Sequence, residues 1–107
     1  MANNQLDGVF MALADPTRRA IVAELARRGA RTTGELAEPH AMSLPAVSKH
    51  VAVLERAGLV TRRREGRRHV CTLRGEALSD AAGWISENHT FWAERLDRLT
   101  AFLEEQP

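Results

Sequence analysis

The sequence is poor in the residues that build covalent or metal-bound frameworks. Its 107 residues include one cysteine, Cys71, which excludes an internal disulfide framework and a multi-cysteine zinc site. No apolar run approaches the roughly 20 residues of a membrane-spanning helix. The opening MANNQLDGVF also lacks the basic and apolar regions of a secretory signal. We therefore expect a cytoplasmic protein without a membrane partner, folded as a single domain over residues 1–107.

The patterns of catalysis are missing as well. The chain has no paired-carboxylate site, no glycine-rich phosphate loop and no cluster of metal ligands. His69 and Cys71 are two residues apart on a predicted strand and share a face, but nothing in the pattern places a third group to orient them. We predict that the protein is not an enzyme and uses neither a cofactor nor a metal.

Charge is distributed unevenly, although the net charge is only +1. Residues 43–75 carry eight arginines and lysines against two acids, a net +6, whereas residues 76–107 carry a net −5. A basic block beside an acidic tail predicts one surface that faces a polyanion.

Helical spacing and start signals divide the first half of the chain into four helices. Asp15-Pro16 is a typical helix start, and Gly29 is a plausible stop. Thr32 and Glu35 match a capping box that opens a short third helix. The predicted apolar faces of the first two helices are Leu6, Val9, Phe10 and Leu13, and Ile21, Val22, Leu25 and Ala26. Leu36 and Ala37 are predicted to face inward on the third helix.

The fourth helix begins at Ser43 and has two contrasting faces. Its predicted buried stripe consists of Leu44, Val47, Val51 and Leu54, and Gly58 closes it. The other face is small and smooth: Pro45, Ala46, Ser48, Lys49, Ala52 and Arg56. A helix without bulky outer side chains can approach another surface closely.

An arginine-rich hairpin follows directly. Residues 59–62 are predicted to form a strand, Glu65-Gly66 a tight turn, and residues 68–73 the return strand. The tip carries Arg63, Arg64, Arg67 and Arg68, which repel one another and are poorly explained by folding alone.

From about Glu76 the pattern is helical again and has two interleaved heptad series. They are Leu78, Ile85, Trp92 and Leu99, and Ala82, His89, Leu96 and Leu103. Such a seam requires a partner helix, so residues 76–105 are predicted to be a dimerisation region. Gly83 or residues 88–90 are places where this helix could break or bend.

The third and fourth helices followed by a basic hairpin predict a winged helix-turn-helix, a mainly α fold with a small β-hairpin wing. Its fourth helix fits the DNA major groove, and its wing arginines can reach phosphates or the minor groove. The residues predicted to contact double-stranded DNA are Ser43, Pro45, Ala46, Ser48, Lys49, His50, Arg63, Arg64, Arg67 and Arg68. For His50 we expect a supporting or backbone contact rather than the reading of a base.

Three segments, ALADPTRRAIVAEL, TTGELAE and SLPAVSKHVAVLERAGLVTRRREGRRHV, resemble the ArsR/SmtB family of bacterial winged-helix repressors. The resemblance implies a homodimer, paired through its first and last helices, that binds a palindromic operator and represses transcription. The expected dimer-interface residues are Leu6, Val9, Phe10, Leu78, Ile85, His89, Trp92, Leu96, Leu99 and Leu103.

The chain departs from the metal-sensing members of that family. Thr32 and Gly34 stand where those members carry a cysteine pair, and His89 has no second histidine nearby. The resemblance is therefore to a metal-free subgroup, and the small-molecule effector is unknown at this level.

Several alternatives stay open at this level. Arg18 and Arg19 contact the DNA backbone or pair with Asp15 or Glu35, and Arg62 pairs with Glu65 or another acid. Cys71 is a buried core residue or a redox switch activated by nearby arginines. Another alternative is a ligand pocket lined by Trp84, Phe91 and Trp92. A third is a winged helix that binds protein instead of DNA.

Overall fold

The computed structural model describes residues 2–105, with side chains from Gln5 onward. The predicted domain 1–107 lies within this range except for Met1 and residues 106–107, which lie outside the described residues. The elements are helices α1 (Ala2–Ala12), α2 (Pro16–Arg28), α3 (Thr33–Ala37), α4 (Leu44–Arg56) and α5 (Gly75–Glu104), and strands β1 (Arg31–Thr32), β2 (Val60–Glu65) and β3 (Arg68–Leu73). A 3-10 turn, Glu38–His40, follows α3.

Three helices begin at the side-chain caps that the sequence predicts. Asp15 Oδ2 accepts a hydrogen bond from the Arg18 backbone nitrogen at 3.0 Å. Thr32 and Glu35 form the reciprocal capping box of α3. Ser43 Oγ accepts from the Ala46 nitrogen at 3.3 Å. Each cap satisfies an amide that the first helical turn leaves without a partner.

The core lies where α1, α2, α3 and α4 meet the sheet and the start of α5. Its largest fully buried side chains include Ile21, Leu36, Leu54 and Leu59. These packed residues hold α3 and α4 in their helix-turn-helix arrangement.

Leu44, predicted to be buried, and Ala26, predicted to lie on an apolar face, are both exposed. Leu44 is 55% exposed because it is the first residue of α4, where a side chain leans past the end of the helix. Ala26 is exposed because it lies in the last turn of α2, to one side of the stripe made by Ile21 and Leu25. Both predictions relied on spacing alone, which does not tell where the neighbouring elements end.

The hairpin is part of a three-stranded antiparallel sheet with the order β1-β3-β2. Its return strand matches the prediction, and its first strand continues through the arginines as far as Glu65. Gly66, with φ at 63°, forms the turn in the left-handed region that favours glycine. The third strand, β1, pairs Arg31 with Cys71 and was not predicted, because two residues show no periodicity.

Helix α5 is continuous over 30 residues, through both Gly83 and residues 88–90. Only its beginning packs on the core, where Ala77 and Ala81 are buried. The molecule consequently measures 72 Å along its longest axis and has a radius of gyration of 18.9 Å, against about 13 Å for a compact chain of this length. None of the described helices combines the length and the apolar character needed to cross a membrane.

Candidate nucleic-acid interface

The outer face of α4 lies at the surface, as the sequence predicts. Ser43, Pro45 and Lys49 are exposed, and Ala46 and Ser48 are half-buried. Small side chains thus surround one cation at the beginning of the helix. This surface is narrow enough to approach a groove closely.

His50, the neighbour of Lys49, has a different environment. Its side chain is 23% exposed, and its Nδ1 lies 3.8 Å from Oδ2 of Asp15, the residue that caps α2. Asp15 has a lowered pKa, mainly because it accepts the Arg18 backbone hydrogen bond and also because of the nearby His50 and the Arg18 charge. His50 therefore links α4 to the start of α2 instead of standing free beside Lys49.

Arg62, at the base of the wing, also contacts α4. Its Nη1 donates to Ser48 Oγ at 2.8 Å, and its Nη2 lies 3.0 Å from Glu55 Oε1. Of the two pairings considered from the sequence, the structure selects an acidic neighbour other than Glu65. This contact fixes the base of the wing against the side of α4.

The four arginines of the wing tip are all exposed. Arg63 pairs with Glu65 at 2.6 Å, and Arg64 Nε donates to the Gly66 carbonyl at 3.0 Å. Within the described residues, Arg67 and Arg68 make no side-chain hydrogen bond or ion pair. The tip therefore concentrates positive charge, and among the described side chains Glu65 is the one acid in contact with it.

Arg18 and Arg19 have a role that the sequence did not suggest. Arg18 Nε donates to the Ala12 carbonyl at 2.6 Å, and its Nη2 donates to Met11 at 3.1 Å. Arg19 Nη1 donates to the Leu13 carbonyl at 2.8 Å. Both guanidinium groups thus bind carbonyls in the last turn of α1 and directly after it, where the Met11 carbonyl also accepts from the Ala14 nitrogen. No ion pair of these side chains with Asp15 or Glu35 is present in the described part of the chain.

A second surface, made by α5, is apolar. Its members are exposed by half or more: Ile85, Trp92, Leu96, Leu99 and Leu103. His89 is also exposed. Soluble monomers rarely expose large contiguous apolar patches, which marks this face as one that another surface covers. Phe102, 59% exposed, and Phe91 extend the face and were missed because they lie outside the heptad series.

The residues predicted to extend this surface toward α1 are placed unevenly. Phe10 is exposed and packs edge-on against Trp84, with ring centroids 5.9 Å apart. Leu6 and Leu78 are half-buried against the core. Val9 is 1% exposed and belongs to the core of its own subunit, so its prediction as an interface residue is wrong: it has almost no surface left for a partner.

The aromatic residues of α5 do not converge on one pocket. Phe91 and Trp92 pack on each other with centroids 5.4 Å apart, and the Arg95 guanidinium lies 3.5 Å from the centre of the Phe91 ring. A groove of about 490 Å³ lies beside Trp84, and Phe91 and Trp92 are not among its lining residues. The predicted alternative of a pocket lined by all three rings is therefore not supported.

Cys71 lies in the core with no exposed surface, as the core interpretation predicts. Burial raises the pKa of its thiol, and the opposing effect of the Arg62 charge is smaller. The alternative of a thiolate activated by arginine is contradicted by this direction of the shift. No group of three or more histidine, cysteine, aspartate or glutamate side chains in residues 2–105 is arranged to hold a metal ion.

Known proteins share the helix-turn-helix part of this sequence. Residues 13–63 match the model of a helix-turn-helix domain. The transcriptional repressor SdpR of Bacillus subtilis is 34% identical over 75% of this chain and 88% of its own length.

Two solved structures resemble this chain over most of its length. An ArsR-like transcriptional regulator from Rhodococcus sp. RHA1 superposes with a TM-score of 0.79 at 30% identity, over 97% of each chain. The homodimeric winged helix-turn-helix DNA-binding domain Mb0332 from Mycobacterium bovis, a possible ArsR-family transcriptional regulator, superposes with a TM-score of 0.64 at 32% identity. That alignment covers 89% of this chain and 84% of the domain.

Proposed function

We infer that this chain, which belongs to the ArsR family of winged helix-turn-helix transcriptional regulators, represses transcription as a homodimer on a palindromic operator. The observation that carries the proposal is the joining of α4 and the wing by Arg62, which contacts Ser48 and Glu55. A narrow helix face and a cationic hairpin are thereby held together as one DNA-binding unit. With chromosomal DNA as its partner, the protein would act in the cytoplasm.

Each α4 enters the major groove of one half-site. Lys49 contacts a phosphate or a guanine edge, and the small residues Pro45 and Ala46 allow the backbone to approach the bases. Ser43 places the beginning of the helix, with its free amides, near a phosphate. His50 supports this helix from the side of α2.

The wing contributes affinity that does not depend on sequence. Arg63, Arg64, Arg67 and Arg68 bind phosphates or the adjacent minor groove, and each phosphate contact releases counterions. The Arg63–Glu65 pair at the exposed tip is weak and gives way to a phosphate.

The α5 surface pairs with its copy and sets the spacing of the two α4 helices. Ile85, Trp92, Leu96, Leu99 and Leu103 bury their exposed area against the second α5, with Phe10 and Trp84 at the edge. Two-fold symmetry of the protein then requires two inverted half-sites, with centres about one DNA turn, roughly 34–36 Å, apart.

The test is selection of bound fragments from genomic DNA by the purified protein, followed by footprinting. We expect an inverted repeat that two copies of the chain occupy. Destroying one half-site should lower affinity by far more than two-fold. Binding as a single copy to an asymmetric site would contradict the palindromic assignment, and indifference to all DNA at low salt would contradict the function itself.

A further inference from the structure

Arg62 differs from the other arginines of the wing in the direction of its side chain. The four tip arginines are exposed, whereas the Arg62 side chain is 20% exposed and lies along α4. It reaches Ser48 and Glu55, which are seven residues apart and therefore lie two turns apart on the same face of that helix.

The contact with Arg62 favours one way in which the Ser48 hydroxyl can bind another group. A guanidinium group only donates hydrogen bonds, so the Ser48 oxygen is the acceptor in the 2.8 Å contact. Within the described residues, the Ser48 hydroxyl makes no other side-chain hydrogen bond, including none to a carbonyl of its own helix. Its O–H therefore stays available as a donor on the half-buried outer side of α4.

We propose that Arg62 is a positioning residue that sets the Ser48 hydroxyl as a hydrogen-bond donor to DNA, an inference that rests on the function proposed above. The ligand of Ser48 is then a hydrogen-bond acceptor: a phosphate oxygen, or a base acceptor such as guanine N7 or O6, adenine N7 or thymine O4. The amino groups of cytosine and adenine need an acceptor, and Arg62 already occupies one of the two acceptor lone pairs of the Ser48 oxygen.

Glu55 completes the arrangement. Its carboxylate lies 3.0 Å from Arg62 Nη2, so the two arms of one rigid, planar group bind two positions of α4. Rotation of the Arg62 side chain is thereby restricted, and β2 is held to α4. Loss of Glu55 should therefore weaken the effect of Arg62 on Ser48 without removing any group that touches DNA.

A double-mutant cycle tests the proposal with the operator obtained by genomic selection, at one salt concentration, with fluorescence anisotropy. The variants are Ser48→Ala, Arg62→Met and the two combined. We expect each single change to weaken operator binding about 5- to 10-fold. The effect of the combined change should be smaller than the product of the two single effects by about 3-fold or more, which is the range expected for directly coupled residues.

The matched control is the cycle of Ser48→Ala with Arg63→Met. Arg63 carries the same charge on the adjacent position of β2, but its side chain pairs with Glu65. Its effect should therefore multiply with that of Ser48→Ala. Equal behaviour of the two cycles would overturn the positioning role, whereas failure of the unaltered protein to bind any DNA would overturn the proposed function instead.

One further variant and two further measurements complete the test. Thermal unfolding of each variant separates positioning from folding. Arg62→Lys retains the charge but cannot bridge both partners, so it should lose the same coupling. It replaces Arg62→Met in the cycle if the methionine variant does not fold.

Binding to random DNA identifies the acceptor. Equal weakening by Ser48→Ala on operator and random DNA indicates a phosphate, and weakening on the operator alone indicates a base. Weakening on neither would refute the donor role.

Discussion

His50 Nδ1 lies 3.8 Å from Asp15 Oδ2, so the helix proposed to enter DNA is linked to the cap of a different helix. Lys49, the preceding residue, is exposed. Two adjacent residues of one motif therefore have separable roles, one at the DNA surface and one between helices.

This separation predicts different outcomes for the two alanine variants. Lys49→Ala should weaken operator binding about 10-fold or more and leave the melting temperature unchanged, because its exposed side chain serves the DNA complex and not the fold. His50→Ala should lower the melting temperature as well. Anisotropy and thermal unfolding of the same samples measure both effects, and a destabilised Lys49→Ala variant would contradict the assignment.

The wing predicts a change in salt dependence. Replacing Arg63, Arg64, Arg67 and Arg68 together by glutamine should weaken binding to operator and random DNA alike. The slope of log affinity against log salt should fall by about 0.9 for each phosphate that the variant no longer neutralises. Arg27→Gln with Arg28→Gln is the control, because those exposed arginines pair with Glu24 at the end of α2. An unchanged slope in the quadruple variant would remove the wing from the interface.

The α5 surface predicts an effect on assembly. Leu99→Asp should raise the dimer dissociation constant by roughly 100-fold or more, because an unpaired charge would be buried at the interface. Ala101→Asp places the same charge on the opposite face of the helix and should leave the dimer intact. Light scattering over a range of protein concentrations measures both, and operator affinity should fall only for Leu99→Asp.

The cap of α2 predicts a dependence on pH. The pKa of Asp15 is lowered in the folded protein, chiefly by the hydrogen bond from the Arg18 nitrogen. Its stabilising effect is therefore fully present above the ordinary value of 3.8 and is lost as the pH falls through the lower folded value. Asp15→Asn keeps the capping side chain but removes its titratable charge. As the pH falls from about 5 toward acid unfolding, through the range of an ordinary carboxyl pKa, the melting temperature of this variant should fall less than that of the unaltered protein.

Burial of Cys71 predicts an unreactive thiol. The raised pKa and the lack of exposed surface should prevent modification by a disulfide reagent at neutral pH until the protein unfolds. The rate of thiol labelling with and without denaturant measures this. Rapid labelling of the folded dimer, accompanied by release from DNA, would restore the redox-switch interpretation.

Much of the fold follows from local signals in the sequence. Asp15, Thr32 and Ser43 each combine a capping side chain with a helical apolar pattern, and each caps a helix of the structure. The return strand was equally predictable, because the turn at Gly66 sets its register. In these cases the deciding interaction lies within a few residues of the chain.

What the sequence did not reveal depends on contacts between distant segments. The Arg62–Ser48 hydrogen bond joins residues 14 positions apart, and no periodicity reports it. Val9 was predicted to lie at the dimer surface but is buried in the core. The apolar spacing of α1 does not show which side of the helix meets the core. Arg18 was interpreted through its charge, whereas its geometry makes it a partner for the end of α1.

The distal part of α5 extends beyond the body of its own subunit. The stability of this part of the helix therefore depends on the concentration of the protein. A lone copy leaves those side chains in water, so the helix gains its stabilising contacts only when a second copy arrives. Occupancy of an operator then rises more steeply than the number of molecules in the cell. Small changes in synthesis or proteolysis would suffice to shift a promoter between its two states.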